Sequence, residues 1–162
     1  MAYTSIDDPA QYFNTVIYTG DGGSNRSVTV DFQPDWVWIK ERNGTNDQTL
    51  FDSVRGATKR LRANATEAED TQANQLKSFD SDGFTLGSLS AVNSNGQNYV
   101  SWNWLAGGSA SSNSDGSITS SVSASTTSGF SIVSWTGTGS TGTLGHGLGV
   151  TPQMIIVKKR DT

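Results

Sequence analysis

The stretch Gln33–Arg42, QPDWVWIKER, decides how the chain folds. Proline precedes it, two tryptophans bracket a valine, an isoleucine follows, and alternating charge closes it. Such a run is either an aromatic binding surface or the middle of a buried sheet. A second stretch near the other end, Thr151–Arg160, TPQMIIVKKR, bears on the choice.

The two stretches close two look-alike segments. FNTVIYTGDGGSNRSVTVDFQPDWVWIKER runs from Phe13 to Arg42, and FSIVSWTGTGSTGTLGHGLGVTPQMIIVKKR from Phe130 to Arg160. Phe13 matches Phe130, Tyr18 matches Trp135, Gly20 matches Gly137 and Gly22 matches Gly139. After a one-residue insertion, Pro34 matches Pro152, Lys40 matches Lys158 and Arg42 matches Arg160. Agreement at one offset over this length is an internal repeat with a period near 117 residues.

Trp36, Val37, Trp38 and Ile39 thereby align with Met154, Ile155, Ile156 and Val157. What the copies share is apolar bulk and strand propensity, not aromaticity. A four-residue apolar run between proline and charge predicts a central strand covered on both faces, with the rings in the core. Upstream, FNTVIYTG and FSIVSWTG alternate and end at Thr-Gly. Each copy therefore reads as strand, glycine-rich connection, strand, and the short connection predicts an antiparallel pair.

Between the copies, TLFDSV (Thr49–Val54) predicts a short strand leading into RGATKRLRAN. KSFDSDGFTLGS predicts a turn over Asp80–Gly83 and a strand from Phe84. In QNYVSWNWLAGG, Tyr99, Ser101 and Asn103 fall on one side, and Val100, Trp102 and Trp104 on the other, the pattern of a half-buried strand. GSITSSVSAS is a weaker strand, and Asn64–Phe79 a loop with at most one helical turn. Glycine, serine, threonine and asparagine favour turns and short strands over helices. The predicted fold is an all-β, antiparallel β-sandwich, jelly-roll or concanavalin-like. Its organisation is an arm at 1–12, a sandwich at 13–128, and at 129–162 the start of a second repeat, either truncated or completing the first sandwich. A truncated tail would expose an apolar face that a partner must cover.

Composition limits function. The 162 residues include no cysteine, which removes disulfides, thiolate metal sites and cysteine nucleophiles together. No apolar run approaches the roughly 20 residues of a membrane span, and MAYTSIDDPAQ is not a secretory signal. A net charge of −4 speaks against nucleic acid. From Gly83 to Val157, Asp115 is the only charged side chain. That neutral tract is either low-complexity linker with ordinary strands, or a surface packed against copies of itself, since interface cores are poor in charge.

Catalytic candidates are sparse. His146, the one histidine, sits among glycines in GTLGHGLG, where a turn is the simpler reading than acid–base work. Asp35 comes nearest to a carboxylate among aromatics, but the second copy has Gln153 there. Asp80, Asp82, Asn93, Asn95 and Asp115 are loop oxygens that calcium would accept, and equally plain turn formers. No other cofactor is expected, and no enzyme activity. Arg55, Lys59, Arg60 and Arg62 read as a solvated face or a contact to an anionic surface. Trp102, Trp104 and Tyr99, with Arg55 and Arg60, are the candidate ligand or interface contacts.

Together, MAYTSIDDPAQYFNTVIYTGDG, PDWVWIKERNG, LFDSVRGATKRLRAN, FDSDGFTLGS, NYVSWNWLAGG and GHGLGVTPQMIIVKKR resemble a family of phage virion proteins. These are common in marine and cyanobacterial phages and are described as tail or tail-fibre proteins. They carry a repeated, uncharacterised domain thought to be a concanavalin-like (laminin-G-like) sandwich. The resemblance covers nearly the whole chain but brings no catalytic residues. It implies a structural virion component made in the host cytoplasm, a homo-oligomer with a trimer favoured, joined to other tail proteins, with host-surface glycan as a further partner. Members continue past the second IIVKKR, which accords with a truncated tail.

Overall fold

The computed structural model describes residues 8–161, so most of the expected arm at 1–12 lies outside the described residues. The alternating stretch Asn98–Trp104 is a strand, here β9, and it organises the molecule. The other strands are β1 (Phe13–Thr19), β2 (Arg26–Thr29), β3 (Trp36–Glu41), β4 (Thr49–Asp52), β5 (Lys59–Arg62), β6 (Asp70–Thr71), β7 (Leu76–Asp80), β8 (Gly83–Leu86), β10 (Ser111–Asn113), β11 (Ser120–Ser125) and β12 (Phe130–Trp135). One helical turn, α1 (Ser90–Asn93), precedes β9.

Among the described residues all pairing is antiparallel, in three sheets: six-stranded β1-β9-β3-β4-β5-β6, three-stranded β2-β8-β7, and three-stranded β10-β11-β12. The expected all-β, antiparallel sandwich is the observed architecture. Its core lies between the first two sheets. Val37, Ile39, Phe51 and Tyr99 face Val28, Phe84, Leu86 and Leu76, with Val92 of α1 closing one end. Fully burying a side chain of this kind stabilises by about 1.5–3 kcal/mol. Tyr18 stacks on Tyr99 with centroids 5.2 Å apart and donates its hydroxyl to the Val92 carbonyl at 2.8 Å. Burial pushes the Tyr18 phenol well above its ordinary value, so the ring stays neutral.

Several expectations are corrected. β1 and β3 do not pair with each other. Both pair with β9, Phe13 and Trp36 opposite Trp104, so the two strands run parallel with β9 between them. The chain crosses to the second sheet as β2 on the way from β1 to β3. β3 is not fully covered on both faces either: Val37 and Ile39 are fully buried, whereas Trp36 and Trp38 are only partly buried on the outer face. A strand sends successive side chains to opposite faces, so WVWI had to divide this way. In β9 the polar-looking side, Tyr99, Ser101 and Asn103, is the inner one.

The second copy diverges most. Phe130–Trp135 forms β12, but residues 136–161 carry no strand, and the apolar run Met154–Val157 is exposed where its counterpart forms β3. The reason is the absence, among the described residues, of a β9-like strand for it to pair with. The repeat nevertheless persists in the backbone: the matched glycines Gly22 and Gly139 have φ of 69° and 77°. That left-handed conformation favours glycine.

Candidate interaction surface

Because β3 and β9 alternate in register, their tryptophans gather on the outer face of the six-stranded sheet. Trp36 packs on Trp104 at 4.6 Å between centroids, and Trp38 lies edge-on to Trp102 at 5.9 Å. Phe13 of β1 joins at 4.8 Å from Trp104. Phe130 of β12 stacks on Trp36 at 5.6 Å and on Trp104 at 5.9 Å, so the third sheet docks on one end of this face. The other end, with Trp38 and Trp102 beside exposed Ile17, is covered less. The Trp38 indole N–H donates to Gln48 Oε1 at 3.1 Å. Aromatic pairs at these separations add about 0.5–1.5 kcal/mol beyond area burial.

Of the candidate contacts, Trp102 and Trp104 do lie on this surface. Tyr99 does not: it is fully buried, its hydroxyl donating to the Ser90 carbonyl at 2.6 Å. It points inward with Ser101 and Asn103, and period-two alternation alone cannot say which of two faces is the inner one.

Arg55 and Arg60 are engaged inside the protein rather than presented. Arg55 Nε donates to Asp52 Oδ2 at 2.5 Å and its Nη1 to Glu69 Oε2 at 2.9 Å, with only 5% of its side chain accessible. Arg60 forms a forked pair with Asp70, which Arg62 also contacts at 3.2 Å. Charged side chains this far from water require such partners. The Arg60 hydrogen bond is the main reason the Asp70 carboxyl sits at about 2, with burial opposing and Gln72 assisting. For Glu69, burial pushes the pKa up, but hydrogen bonds from Arg160 and Arg55 outweigh it and hold it below the usual range.

Arg160 belongs to the tail, so this cluster anchors it. Arg160 Nε and Nη2 hold Glu69 at 2.9 and 3.0 Å, its Nη1 donates to Ser134 Oγ at 3.0 Å, and the Glu69 N–H donates to the Arg160 carbonyl at 2.7 Å. Lys158 Nζ reaches the Ala65 carbonyl at 2.6 Å. A polar recess of about 280 Å³ lies here, lined by Ser112, Ser121, Ser134 and Arg160 among others. Between these anchors and the glycines, Val150 and Met154–Val157 are all more than half exposed.

Most of the remaining candidates have structural partners, while Asp82 and Asn95 are exposed turn residues. His146 Nδ1 accepts from the Leu148 N–H at 3.2 Å, within its own turn. Asp35 is buried: Oδ1 accepts from Ser53 Oγ at 2.7 Å, and Oδ2 from the N–H groups of Ala106 and Gly108 at 2.8 and 3.1 Å. It thus ties the start of β3 to the crossover into the third sheet. Asp80 accepts from Ser78 and Thr85, Asn93 bonds Asp21, and Asp115 bonds Asn113. Among the described residues no three His, Asp or Glu side chains are placed to hold a metal ion. No helix among them is long and apolar enough to cross a membrane.

The class defined by these features is a layered, antiparallel all-β domain with internally paired charges and an exposed apolar surface. The chain belongs to the family described as a domain of unknown function, DUF7483, which it matches over residues 8–162. Both copies of the internal repeat fall within that single match. No curated protein and no solved structure matches the chain.

Proposed function

We propose that this protein is a non-enzymatic structural component of a phage virion, in the tail or tail fibre, acting in assembly and in host attachment. Its partners on this reading are further copies of itself, with a trimer favoured, and other tail proteins. One observation carries the assembly role: Met154–Val157, an apolar run of strand-forming residues, lies in water with no ladder partner among the described residues. Exposed apolar surface of this kind marks a site of association. The near-absence of charge from Gly83 to Val157 fits the same role, and the sequence resemblance supports the virion reading. Sedimentation velocity across a concentration series tests it. A defined homo-oligomer is expected; a monomer at all concentrations that also fails to join virion proteins sinks it.

A second reading, carbohydrate recognition, is favoured by the partly buried Trp38 and Trp102 on the same face as exposed Ile17, since indole faces stack on apolar sugar faces. Titration of host polysaccharide against Trp102→Ala decides between the two. Loss of a measurable affinity in the variant supports glycan binding, and no binding at millimolar ligand removes it.

A further inference from the structure

In the first copy of the repeat, β1 and β3 are the two walls of a strand position filled by β9. Ile17 and Lys40 both lie opposite Val100, and the Arg42 N–H donates to the Asn98 carbonyl at 2.7 Å. In the second copy the wall corresponding to β1 is β12, and the wall corresponding to β3 is Met154–Arg160. β12 pairs with β11 on one edge, and its other edge has no ladder partner among the described residues. The two walls already lie close: Arg160 Nη1 reaches Ser134 Oγ, and Ser134 is the residue aligned with Ile17. A long side chain, not backbone pairing, makes that contact.

The glycines say what is missing between the walls. A Cβ on Gly20 would collide with the Ser94 carbonyl oxygen, and one on Gly22 would lie 3.3 Å from Asn95 Cβ. The α1–β9 connection packs against both positions, and Gly22 also needs glycine for its positive φ. Gly137 and Gly139 are the matched residues, and a Cβ on either meets nothing within 4 Å. For Gly139 the turn itself demands glycine, through its positive φ. Gly137 has no such φ and no crowding, so nothing among the described residues explains it. Trp135 shows the same contrast: its counterpart Tyr18 is packed on Tyr99 and tied to Val92, whereas Trp135 is exposed. Likewise Val37 and Ile39 are fully buried, and Ile155 and Val157 are not.

We propose that β12 and Met154–Arg160 flank an open strand position whose occupant is the α1–β9 segment of another domain of the same family. The incoming strand runs antiparallel to both walls, as β9 does to β1 and β3. Its bulky-and-small alternation buries Ile155 and Val157 on one side and Ile156 on the other, and its preceding turn settles on Gly137. Main-chain hydrogen bonds supply affinity and the alternate side chains supply selectivity, as in other strand additions. This inference rests on the assembly role and names its contact.

A labelled peptide of residues 92–104, VNSNGQNYVSWNW, stands for the incoming segment. Fluorescence anisotropy against the full chain should show saturable binding, and a shuffled peptide of the same composition should bind at least tenfold more weakly. Ile155→Asp and Gly137→Val both lie at open positions, so each should leave the circular dichroism of the chain unchanged. Each should also weaken peptide binding at least tenfold, the first by placing a charge in the buried wall, the second by blocking the turn. No binding, equal binding of the shuffled peptide, or full binding by both variants overturns the proposal. An oligomer in solution without peptide binding would leave the assembly role standing and remove this contact. A monomer that binds the peptide as described would do the reverse.

Discussion

Ile39 and Val157 hold the same place in the repeat and sit in opposite surroundings, one fully buried and the other 66% exposed. Nothing in either side chain distinguishes them; the neighbours do. Ile39→Ala is expected to cost about 2–5 kcal/mol, because it opens a cavity between packed sheets. Val157→Ala should change stability by less than about 0.5 kcal/mol, as exposed substitutions do. Urea unfolding of both variants checks this, and equal costs would mean that the tail is packed in solution. The tryptophans teach the complementary lesson. In Met-Ile-Ile-Val every residue is apolar, so alignment with Trp-Val-Trp-Ile suggested burial throughout and hid the period-two division that the strand imposes.

At the scale of elements, β9 decides more than any other. Its alternation was legible, and so were the turn at Asp80–Gly83 and the strands β1, β4, β8 and β11. Which partners β9 takes was not legible, because antiparallel pairing follows from which apolar faces meet, and that is a property of several strands at once. The α-helical turn formed at Ser90–Asn93, and a 3₁₀ turn at Pro9–Gln11, rather than in Asn64–Phe79, where polar composition suggested one. There the chain makes β6, held by ion pairs across the β5–β6 edge, and β7, which pairs with β8. Those pairs make the edge acid-sensitive. Asp70 has a folded pKa of about 2, below the unfolded value of about 3.9. Its contribution to stability is therefore full above pH ~4 and disappears as pH falls from ~4 towards ~2. The urea midpoint of the native chain should drop more steeply over that window than that of Asp70→Asn; parallel curves would show that the pair contributes nothing there.

At the scale of the whole molecule, the six-stranded sheet serves two neighbours. Its inner face builds the core with β2-β8-β7, and its outer face receives β10-β11-β12 through Phe130 on Trp36 and Trp104. The tail is anchored at its end by Arg160 on Glu69, yet contributes little buried apolar surface. A chain ending at residue 149 should therefore unfold within about 1 kcal/mol of the full chain, since partly exposed ion pairs contribute weakly. It should also lose self-association and peptide binding. Calorimetry beside sedimentation checks both halves, and a large loss of stability would place the tail in the core.

By itself the sequence determined that this is an all-β chain, that it carries a strand-based repeat, and that it holds no cysteine. Those properties follow from local alternation, turn residues and composition, which need no knowledge of neighbours. Only the tertiary structure decided which side of β9 is inner, that Tyr99, Arg55 and Arg60 are used internally, and that, among the described residues, one copy of the repeat has its strand partner while the apolar run of the other has none. Burial and pairing are decided by what lies opposite in space, and two nearly identical stretches can differ in nothing else.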